Sequence, residues 1–477
     1  MMRKVLLIIT IILLTINGYA QTQLWSMASD GGAFLHYGTI FKLNLDGSGF
    51  FVVHSCDFPT SVIPEASLIY LPNGKIYGMT NEGGGNPDVG TIFSIDPATN
   101  IYSELYIFND SLGNGYAPFG SLLYSNNGKL YGLTIEGGAG YGVIFSFDIS
   151  TNTYNTLIEL DSNKGIYPDG SLIQASNDSL YGMTEEGGTN GYGVIFSYDI
   201  VSNSYTVLHN FDSVSGLDPL GDLLQATDGK LYGMTWEGGL NYGVLFSYDI
   251  STNIFTVLHN FDSTTGNVPS GNLIQALNGK LYGLTTDGGI YDKGTLFSFD
   301  LSNNIYSKLI DFNGINGWWP EGSLFQASNG LLYGMTVVGG IYDDGVIFNY
   351  NPLDSVYTKL RDLDTLDGFN PNKSYFIEVR NATSIPQTTS IPPAISLYPN
   401  PNNGTFTLSY HLNQLGIRNY QLEITDITGR TLYSYSIDKM SIVNFQLSIP
   451  LSSGIYFWQL LNDGAIIGNG KLMIIGN

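Results

Sequence analysis

Two adjacent carboxylates, Glu185 and Glu186, precede a Gly-Gly pair in the segment LYGMTEEGG at residues 180–188. Carboxylates in such a place could act as a general acid and base, or could bind a metal ion. Neighbouring residues of a strand point to opposite faces, however, so adjacency does not bring the two groups to one substrate. The doublet occurs in only one copy of a repeated segment, and Glu185 is therefore interpreted as incidental.

The repeated segment occurs throughout the first part of the chain. The other copies are LWSMASDGG at 24–32, IYGMTNEGG at 76–84, LYGLTIEGG at 130–138, LYGMTWEGG at 231–239, LYGLTTDGG at 281–289 and LYGMTVVGG at 332–340. Their aromatic residues, from Trp25 to Tyr333, follow one another after 52, 54, 50, 51, 50 and 51 residues. A period of this length indicates a repeat architecture.

One complete unit, residues 171–212, contains four strand-like runs. They are SLIQA at 171–175, SLYGMT at 179–184, GVIFSYD at 193–199 and SYTVLHNF at 204–211, separated by turn residues. Four strands per unit predict an all-β, seven-bladed β-propeller over residues 21–380. The segment PNKSYFIEV at 371–379 aligns with PDGSLIQAS at 168–176, so Ser374–Val379 is predicted to supply the missing strand of the first blade.

Acidic and amide residues recur at three positions of the unit. One position precedes Gly-Gly, one closes the fourth strand and one follows the third strand, as with Glu186, Asp212 and Asp199. An enzyme needs one catalytic set in one place, whereas Asp and Asn close turns in every copy by bonding their own backbone. The repetition therefore favours a structural role.

Geometry leaves one functional hypothesis for the repeated acids. The two-to-three and four-to-one loops of a four-stranded blade emerge on the same face, so they should form one rim. Carboxylates and tyrosines there could bind the hydroxyls and rings of glycans, and the same oxygens could bind Ca²⁺. No other cofactor is indicated. The candidate rim acids are Glu82, Glu136, Glu186, Glu237 and Asp287.

Residues that break the repeat are better functional candidates than residues that keep it. On the rim these are Trp236, Trp318, Trp319 and the pair Asp343 and Asp344. The tryptophans could instead fill gaps between blades. Trp318 and Trp319 lie in a glycine-rich loop, which favours exposure.

Charge is unevenly distributed along the chain. Residues 21–395 carry 37 acidic and 12 basic residues, whereas residues 396–477 carry four of each. An acidic body argues against nucleic-acid binding, which needs Lys and Arg to neutralise phosphates. His209 and His259 occupy the same place in two repeats, which indicates packing.

The N-terminal segment MMRKVLLIITIILLTINGYA has the features of a secretory signal peptide. Arg3 and Lys4 precede an apolar run, and Gly18-Tyr19-Ala20 offers small residues for cleavage after Ala20. Residues 1–20 are predicted to be removed on export. No later segment is long and apolar enough to predict a membrane-spanning helix.

The repeat region resembles the GloVer tandem-repeat family of bacteria. The resemblance covers residues 24–379 and depends on the pattern LYG[ML]TxEGG…YGxIFSYD. It implies a surface or secreted protein and supplies no biochemical activity.

The C-terminal part is predicted to be a separate domain. Residues 381–395 form a Pro/Thr/Ser linker, and residues 396–477 alternate apolar residues with glycine turns, which predicts a small immunoglobulin-like β-sandwich. Three motifs resemble the C-terminal sorting domain of type IX secretion cargo in Bacteroidetes, and Lys471 matches its final basic strand. The motif residues are Tyr398, Pro399, Asn400, Pro401, Gly404, Asp426, Gly429, Arg430, Gly454, Tyr456 and Lys471. The resemblance implies the type IX machinery as a partner, and either attachment to the cell surface or release.

The functional hypothesis is a secreted propeller that binds an extracellular ligand such as a glycan. Two alternatives remain open: a carbohydrate-active enzyme that uses rim carboxylates, and a passive structural or adhesive protein of the envelope. The chain contains no Gly-x-Ser-x-Gly, His-Glu-x-x-His or phosphate-binding motif. The motifs therefore favour binding over catalysis, and no catalytic residue is assigned.

Overall fold

The structure is a computed structural model of the 477-residue chain. It describes residues 22–33, 37–57, 62–85, 89–109, 113–371 and 373–380, together with the C-terminal segments 396–398, 405–409, 420–426, 430–437, 444–448, 454–462 and 465–474. The predicted signal peptide, the linker and the residues Pro399, Asn400, Pro401, Gly404 and Gly429 lie outside these ranges. The chain divides into two compact units, residues 1–383 and 384–477.

The described residues are all-β and contain no helix. Between residues 22 and 380 they form seven four-stranded antiparallel sheets, numbered here from the N-terminus by their second strands. The first strands, for sheets 1 to 7, are Ile377–Arg380, Ile69–Tyr70, Leu123–Tyr124, Ile173–Gln174, Leu224–Gln225, Ile274–Gln275 and Phe325–Gln326. The second strands are Thr22–Ala28, Ile76–Thr80, Leu130–Thr134, Leu180–Thr184, Leu231–Thr235, Leu281–Thr285 and Leu332–Met335.

The outer two strands of each sheet are longer than the first strand. The third strands are Thr39–Asn44, Thr91–Asp96, Val143–Asp148, Val194–Asp199, Val244–Asp249, Thr295–Asp300 and Val346–Asn351. The fourth strands are Phe51–Ser55, Ile101–Ile107, Thr153–Glu159, Ser204–Asn210, Ile254–Asn260, Ile305–Asp311 and Val356–Asp362. A short additional pair, Gly115–Tyr116 with Glu136–Gly137, lies beside sheet 3.

Sheet 1 joins the two ends of the repeat region. Its first strand, Ile377–Arg380, pairs antiparallel with Thr22–Ala28, and Trp25 lies opposite Ile377. The backbone N–H and C=O groups on this edge of Thr22–Ala28 are thereby paired rather than exposed.

Apolar side chains pack between neighbouring sheets rather than on one face of each. Second strands such as Leu180–Thr184 are buried along their whole length, which explains why their sequence does not alternate. Each core cluster joins two consecutive sheets, and one of them joins sheet 7 to sheet 1 through Tyr333, Phe376 and Leu24. Four-stranded sheets packed face to face in a closed circle form a β-propeller.

The C-terminal unit contains two further sheets. One has the strands Ser396–Tyr398, Thr405–Ser409 and Asn444–Ser448, and the other has Tyr420–Thr425, Thr431–Ile437, Gly454–Asn462 and Ala465–Ile474. In the second sheet Leu422, Trp458 and Leu472 are buried. The described residues include no helix able to cross a membrane.

Candidate functional site

The two-to-three and four-to-one loops lie at the same end of the sheets, as the sequence predicts. In every repeat a backbone bridge joins the residue before Gly-Gly to the loop that enters the same sheet. The bridged pairs are Asp30 with Phe369, Val62 with Glu82, Tyr116 with Glu136, Ile166 with Glu186, Leu217 with Glu237, Asn267 with Asp287, and Trp318 with Val338. We call this end of the propeller the rim.

The rim acids occupy equivalent places around the circle and do not converge on one point. Glu136, Glu186 and Glu237 are exposed, whereas Glu82 and Asp287 are half-buried. Tyr116 Oη donates to Glu136 Oε2 at 2.5 Å, within the same repeat. The backbone bridges show that this position shapes every loop, and its side chains are available around the rim.

The tryptophans differ in exposure. Trp319 is 38% exposed and its Nε1 donates to Asp287 Oδ1 at 3.0 Å, so two candidate residues meet there. Trp318 is half-buried, with Lys293 Nζ 3.4 Å from its ring centroid. Trp236 is 37% exposed. Trp318 therefore packs within the loop. The sequence predicts that both Trp318 and Trp319 are exposed, and in the structure only Trp319 of the two is exposed.

Asp343 and Asp344 belong to the loop that follows Gly-Gly in sheet 7. Asp343 Oδ1 accepts from the Gly339 N–H at 3.1 Å, which closes that loop. Asp344 Oδ2 accepts from Thr365 Oγ1 at 3.4 Å. These contacts give both residues a local role in the loop.

The acids that end the third and fourth strands close turns. In sheet 5, for example, Asp262 Oδ1 accepts from the side chain and N–H of Thr264 and from Thr265. The hydrogen bond from the Thr264 side chain has the largest effect, and together these hydrogen bonds lower the pKa of Asp262 to about 2. The structural role predicted for these repeated positions is confirmed.

A ring of hydrogen bonds encircles the axis where the chain enters the first strand of each sheet. Each link runs from a backbone N–H to an oxygen of the next repeat, over 2.5–3.4 Å. The donor and acceptor residues are Ser67 to Ser121, Ser121 to Ser171, Ser171 to Asp222, Asp222 to Asn272, Asn272 to Ser323, Ser323 to Ser374, and Tyr375 to Ser67. The links return to their starting residue, so the ring is closed.

Small residues are required inside this ring. A Cβ atom on Gly170 would lie 2.5 Å from the Gly221 carbonyl oxygen of the next repeat, which is closer than real Cβ contacts allow. Gly221 and Gly271 are in the same situation. The glycine of the recurring Pro-x-Gly motif is therefore a packing requirement of the axis.

A small cavity opens inside the ring. Its wall is lined by the residue after the proline of several repeats, and this residue differs from repeat to repeat: Phe119, Asp169, Leu220 and Ser270. Lys373 reaches the same cavity from the segment that enters sheet 1. Ile377 pairs with Trp25 as Ile173 pairs with Tyr181, so Lys373 occupies the position of Asp169. The cavity is thus lined in part by residues that differ between repeats.

Lys373 forms the main charge contact of the cavity. Its ammonium group pairs with Asp169, and it lies 4.5 Å from the ring centroid of Phe119. The Lys373 and Asp169 side chains are only 19% and 12% exposed. Asp222, deeper in the wall, accepts from the Ser171 N–H and from Asn272 Nδ2 at 2.5 and 2.6 Å.

Further carboxylates surround this ion pair. Burial raises the pKa of Glu65 to about 7, with Asp169, Glu82 and Asp30 adding to the effect and Lys373 opposing it. Burial also raises the pKa of Glu321, again against the attraction of Lys373. The surroundings of Lys373 therefore hold more carboxylates than one lysine can compensate, and burial keeps Glu65 partly protonated near neutral pH.

Glu185 is not the incidental residue that the sequence suggests. It is half-buried, and burial together with Asp169 and Asp218 raises its pKa to about 7. Its neighbour Glu186 is exposed. The two residues point to opposite faces, as expected, but the face of Glu185 is the one turned towards the cavity residues.

Sequence reasoning missed Lys373, Asp169, Asp222, Glu65 and Phe119. The alignment of PNKSYFIEV with PDGSLIQAS is one residue out of register: the strand pairing places Lys373 in the position of Asp169, and the first strand of sheet 1 is Ile377–Arg380 rather than the predicted Ser374–Val379. Nothing in the sequence alone shows that this position faces an axis shared by all repeats.

The acids of the described ranges do not form a metal centre of the usual kind. Within those ranges no group of three or more His, Cys, Asp or Glu side chains is arranged to hold a metal ion.

Comparison with known proteins identifies both parts of the chain. Residues 16–241 and 214–384 match the family model described as the Gloeobacter/Verrucomicrobia repeat. The protein belongs to the Gloeobacter/Verrucomicrobia repeat family. In this family member, residues 396–474 also match the secretion system C-terminal sorting domain. Both resemblances seen in the sequence are confirmed.

The sorting domain indicates the cellular destination of this member of the repeat family. Such a domain directs type IX secretion in Bacteroidetes, so the protein is exported and is attached to the cell surface or secreted. Of the motif residues in the described ranges, Asp426 Oδ1 accepts from the Arg430 N–H at 3.1 Å, which closes one turn. Tyr456 is buried in the sheet of Gly454–Asn462.

Solved structures resemble the repeat-family fold at low sequence identity. A putative 6-phosphogluconolactonase from Bacteroides uniformis is 13% identical, with a TM-score of 0.51 over 74% of this chain and 99% of its own. The periplasmic gluconolactonase of Pseudomonas aeruginosa is 12% identical, with a TM-score of 0.52 over 75% and 99%. These similarities concern the fold alone. No curated protein matches the chain.

Proposed function

We propose that this protein is a secreted seven-bladed β-propeller that binds an extracellular saccharide in its axial cavity. The observation that carries the proposal is the convergence of Phe119, Asp169, Leu220, Ser270 and Lys373, which differ between repeats, on one cavity. A repeated scaffold needs equal residues at equal positions, so differences concentrated in one cavity favour a ligand rather than a structural role.

The finer architecture is part of this proposal. The seven four-stranded sheets would be the blades, with Ile377–Arg380 completing the first of them, and the closed hydrogen-bond ring supports this count. Residues 21–380 would form the propeller and 381–395 a linker. Residues 396–477 would form an immunoglobulin-like sandwich from the two C-terminal sheets.

The cavity chemistry suits a small polyhydroxylated ligand. Asp169 and Ser270 offer acceptors for hydroxyl groups, Lys373 offers donors, and Phe119 and Leu220 offer apolar surface for a sugar ring. Rim residues such as Trp236, Glu186 and Glu237 would meet further residues of a longer chain.

Binding to a panel of neutral, acidic and amino-sugar oligosaccharides tests the proposal. We expect saturable binding by the full-length protein, weakened by about tenfold or more in Lys373→Met and in Asp169→Asn, because each variant removes a buried polar contact to the ligand. The matched control is Lys75→Met, since Lys75 is an exposed lysine of a first-to-second-strand turn, far from the cavity. Thermal unfolding of each variant reports whether it is folded.

Two results would contradict saccharide binding in the cavity. One is the absence of saturable binding to every member of the panel, which would favour the passive structural or adhesive alternative. The other is wild-type binding strength in folded Lys373→Met and Asp169→Asn variants. This result would show that the saccharide binds elsewhere on the rim.

A carbohydrate-active enzyme is the second candidate, because of Glu65. Its pKa of about 7 keeps a fraction of the carboxyl protonated at neutral pH beside Asp169, which Lys373 holds as an ion pair. One protonated and one ionised carboxyl around a cavity are what glycoside hydrolysis uses. Hydrolysis of aryl glycosides that is lost in Glu65→Gln would support this candidate, and no turnover of any substrate would exclude it.

A further inference from the structure

Seven residues around the rim share a backbone conformation that is unusual for their residue types. Each immediately precedes the proline at the entrance to a first strand, and each has a φ between 52° and 57°. They are Ile63, Ala117, Tyr167, Asp218, Val268, Trp319 and Asn370. We call them the pre-proline residues.

This conformation is strained for the side chains present. Left-handed backbone is costly for residues with a Cβ and more so for β-branched ones such as Ile63 and Val268, and a following proline disfavours it further. Glycine would adopt it without strain. None of the seven repeats uses glycine at this position, although the chain contains 59 glycines.

A second set of left-handed positions in the same repeats provides an internal comparison. The turn between the third and fourth strands has φ angles of 51–61° at Asn100, Asn152, Asn203, Asn253, Asn304 and Ser355. Five of these six are asparagine, the residue that best tolerates this conformation after glycine. At those turns the left-handed backbone is thus occupied mainly by one residue type. At the pre-proline positions, which have the same backbone conformation, seven different residue types occur.

The pre-proline residues lie at the junctions between sheets, beside the cavity. The Tyr167 N–H donates to the Tyr141 carbonyl of sheet 3, and the Tyr167 carbonyl accepts from the Glu185 N–H of sheet 4. The same two contacts hold Trp319 between Lys293 and Val337. In four repeats the residue two positions later, across the proline, lines the cavity; these residues are Phe119, Asp169, Leu220 and Ser270.

Two of their side chains donate hydrogen bonds to the acids that precede Gly-Gly. Trp319 Nε1 donates to Asp287 Oδ1 at 3.0 Å, and Asn370 Nδ2 donates to Asp30 Oδ2 at 3.1 Å. The Tyr167 ring lies 6.4 Å from that of Tyr141. None of the seven pre-proline residues is buried.

We propose that the pre-proline residues are the specificity-determining positions of the ligand site, kept as side-chain-bearing residues at a cost in backbone strain. This inference rests on the proposed saccharide binding and names the residues that choose among saccharides. Each repeat holds one variable side chain in a fixed, left-handed backbone conformation on the rim, so the seven together present a surface that differs around the circle.

Substitution by glycine separates this proposal from a purely structural role. In Asp218→Gly and Trp319→Gly of the full-length protein we expect a Tm that is unchanged or raised by about 1–2 °C, because strain is relieved. We also expect an altered order of preference across the oligosaccharide panel, with the best wild-type binder weakened by about tenfold. Asn203→Gly, at a left-handed position of a third-to-fourth-strand turn, is the matched control and should leave the preferences unchanged.

The outcomes distinguish this inference from the proposed function. If wild-type protein binds and Lys373→Met abolishes binding, while both glycine variants keep the wild-type preferences, the inference fails and the proposed function stands. A fall in Tm of several degrees with unchanged preferences would show a structural role. If wild-type protein binds no oligosaccharide of the panel, both fail.

Discussion

Glu185 shows at the residue scale how one side chain of a doublet can differ from its neighbour. Its backbone N–H is fixed to the Tyr167 carbonyl, and its half-buried carboxyl faces Asp169 and Asp218. Burial first, and then these charges, raises its pKa from 4.5 to about 7. The folded state therefore prefers the neutral carboxyl, and repulsion within the cavity grows as this group ionises.

The sign of the pH effect follows from this raised pKa. Glu185 stabilises the fold fully below its unfolded pKa near 4.5, and this stability is lost as pH rises through about 7. Glu185→Gln should therefore raise the free energy of unfolding at pH 8 by about 1 kcal/mol, after allowance for solvent screening, and change it little at pH 4.5. Urea unfolding at both pH values measures this, with exposed Glu186→Gln as the control. An equal effect of Glu185→Gln at both pH values would contradict the assignment.

Gly170 provides a test of the axial packing. Gly170→Ala should lower the free energy of unfolding by about 1–3 kcal/mol, because the new Cβ would lie 2.5 Å from the Gly221 carbonyl oxygen. Sheet 2 has alanine at the equivalent position, so Ala66→Gly serves as the control and should cost less than Gly170→Ala. Chemical denaturation measures both, and equal stabilities of wild type and Gly170→Ala would refute the close approach.

At the element scale, the fourth strands contact one another through stacked rings. His209 stacks on Phe255 at 3.9 Å, and His259 stacks on Tyr306 at 3.9 Å, each across to the next sheet. Arg361 lies over Phe50 in the same way at the closing junction, 4.2 Å from the ring centroid. The packing role predicted for the two histidines is confirmed, and burial lowers the pKa of both.

These histidines make the junctions sensitive to acid. A lowered pKa means that the stacked, neutral rings stabilise the fold above the unfolded pKa near 6.5, and that this contribution is lost as pH falls below it. The double variant His209→Phe and His259→Phe should lose less stability than wild type between pH 7 and pH 5. Thermal unfolding across this range measures the difference, and His209→Phe alone should give about half of it. Parallel pH profiles for wild type and double variant would contradict the stacking account.

The sequence predicted the elements well because each is specified locally. The runs at 179–184, 193–199 and 204–211 correspond to the strands Leu180–Thr184, Val194–Asp199 and Ser204–Asn210. The run at 171–175 is reduced to Ile173–Gln174, since the residues before it belong to the axial ring. That ring joins residues about 50 positions apart, as Ser121 and Ser171 are, and periodicity within one repeat does not specify such contacts.

At the scale of the whole molecule, the fold depends on closure between its ends. Ile377–Arg380 pairs with Thr22–Ala28, and Ser374 contributes to the axial ring. A chain ending at residue 370 should therefore lack cooperative unfolding and have an enlarged hydrodynamic radius. A chain ending at residue 383 should unfold cooperatively and have the hydrodynamic radius of a compact domain. Calorimetry and size-exclusion chromatography compare the two. Equal cooperativity in the shorter chain would show that closure is dispensable.

The C-terminal unit makes a separate prediction about transport. Deletion of residues 396–477 should leave the protein inside a type IX-competent cell, because the sorting domain is the part that matches the secretion signal. Fractionation followed by immunoblotting measures the distribution. Arrival of the deleted protein at the cell surface in wild-type amounts would contradict this role.

The central claim is that the axial cavity binds a saccharide through residues that differ between repeats. The most direct measurement is a crystal structure of the full-length protein with the strongest oligosaccharide of the panel. We predict a sugar residue at the mouth of the ring, with hydroxyl groups within hydrogen-bond distance of Asp169 and Lys373. An oligosaccharide bound only on the outer faces of the sheets, with the cavity free of it, would contradict the claim.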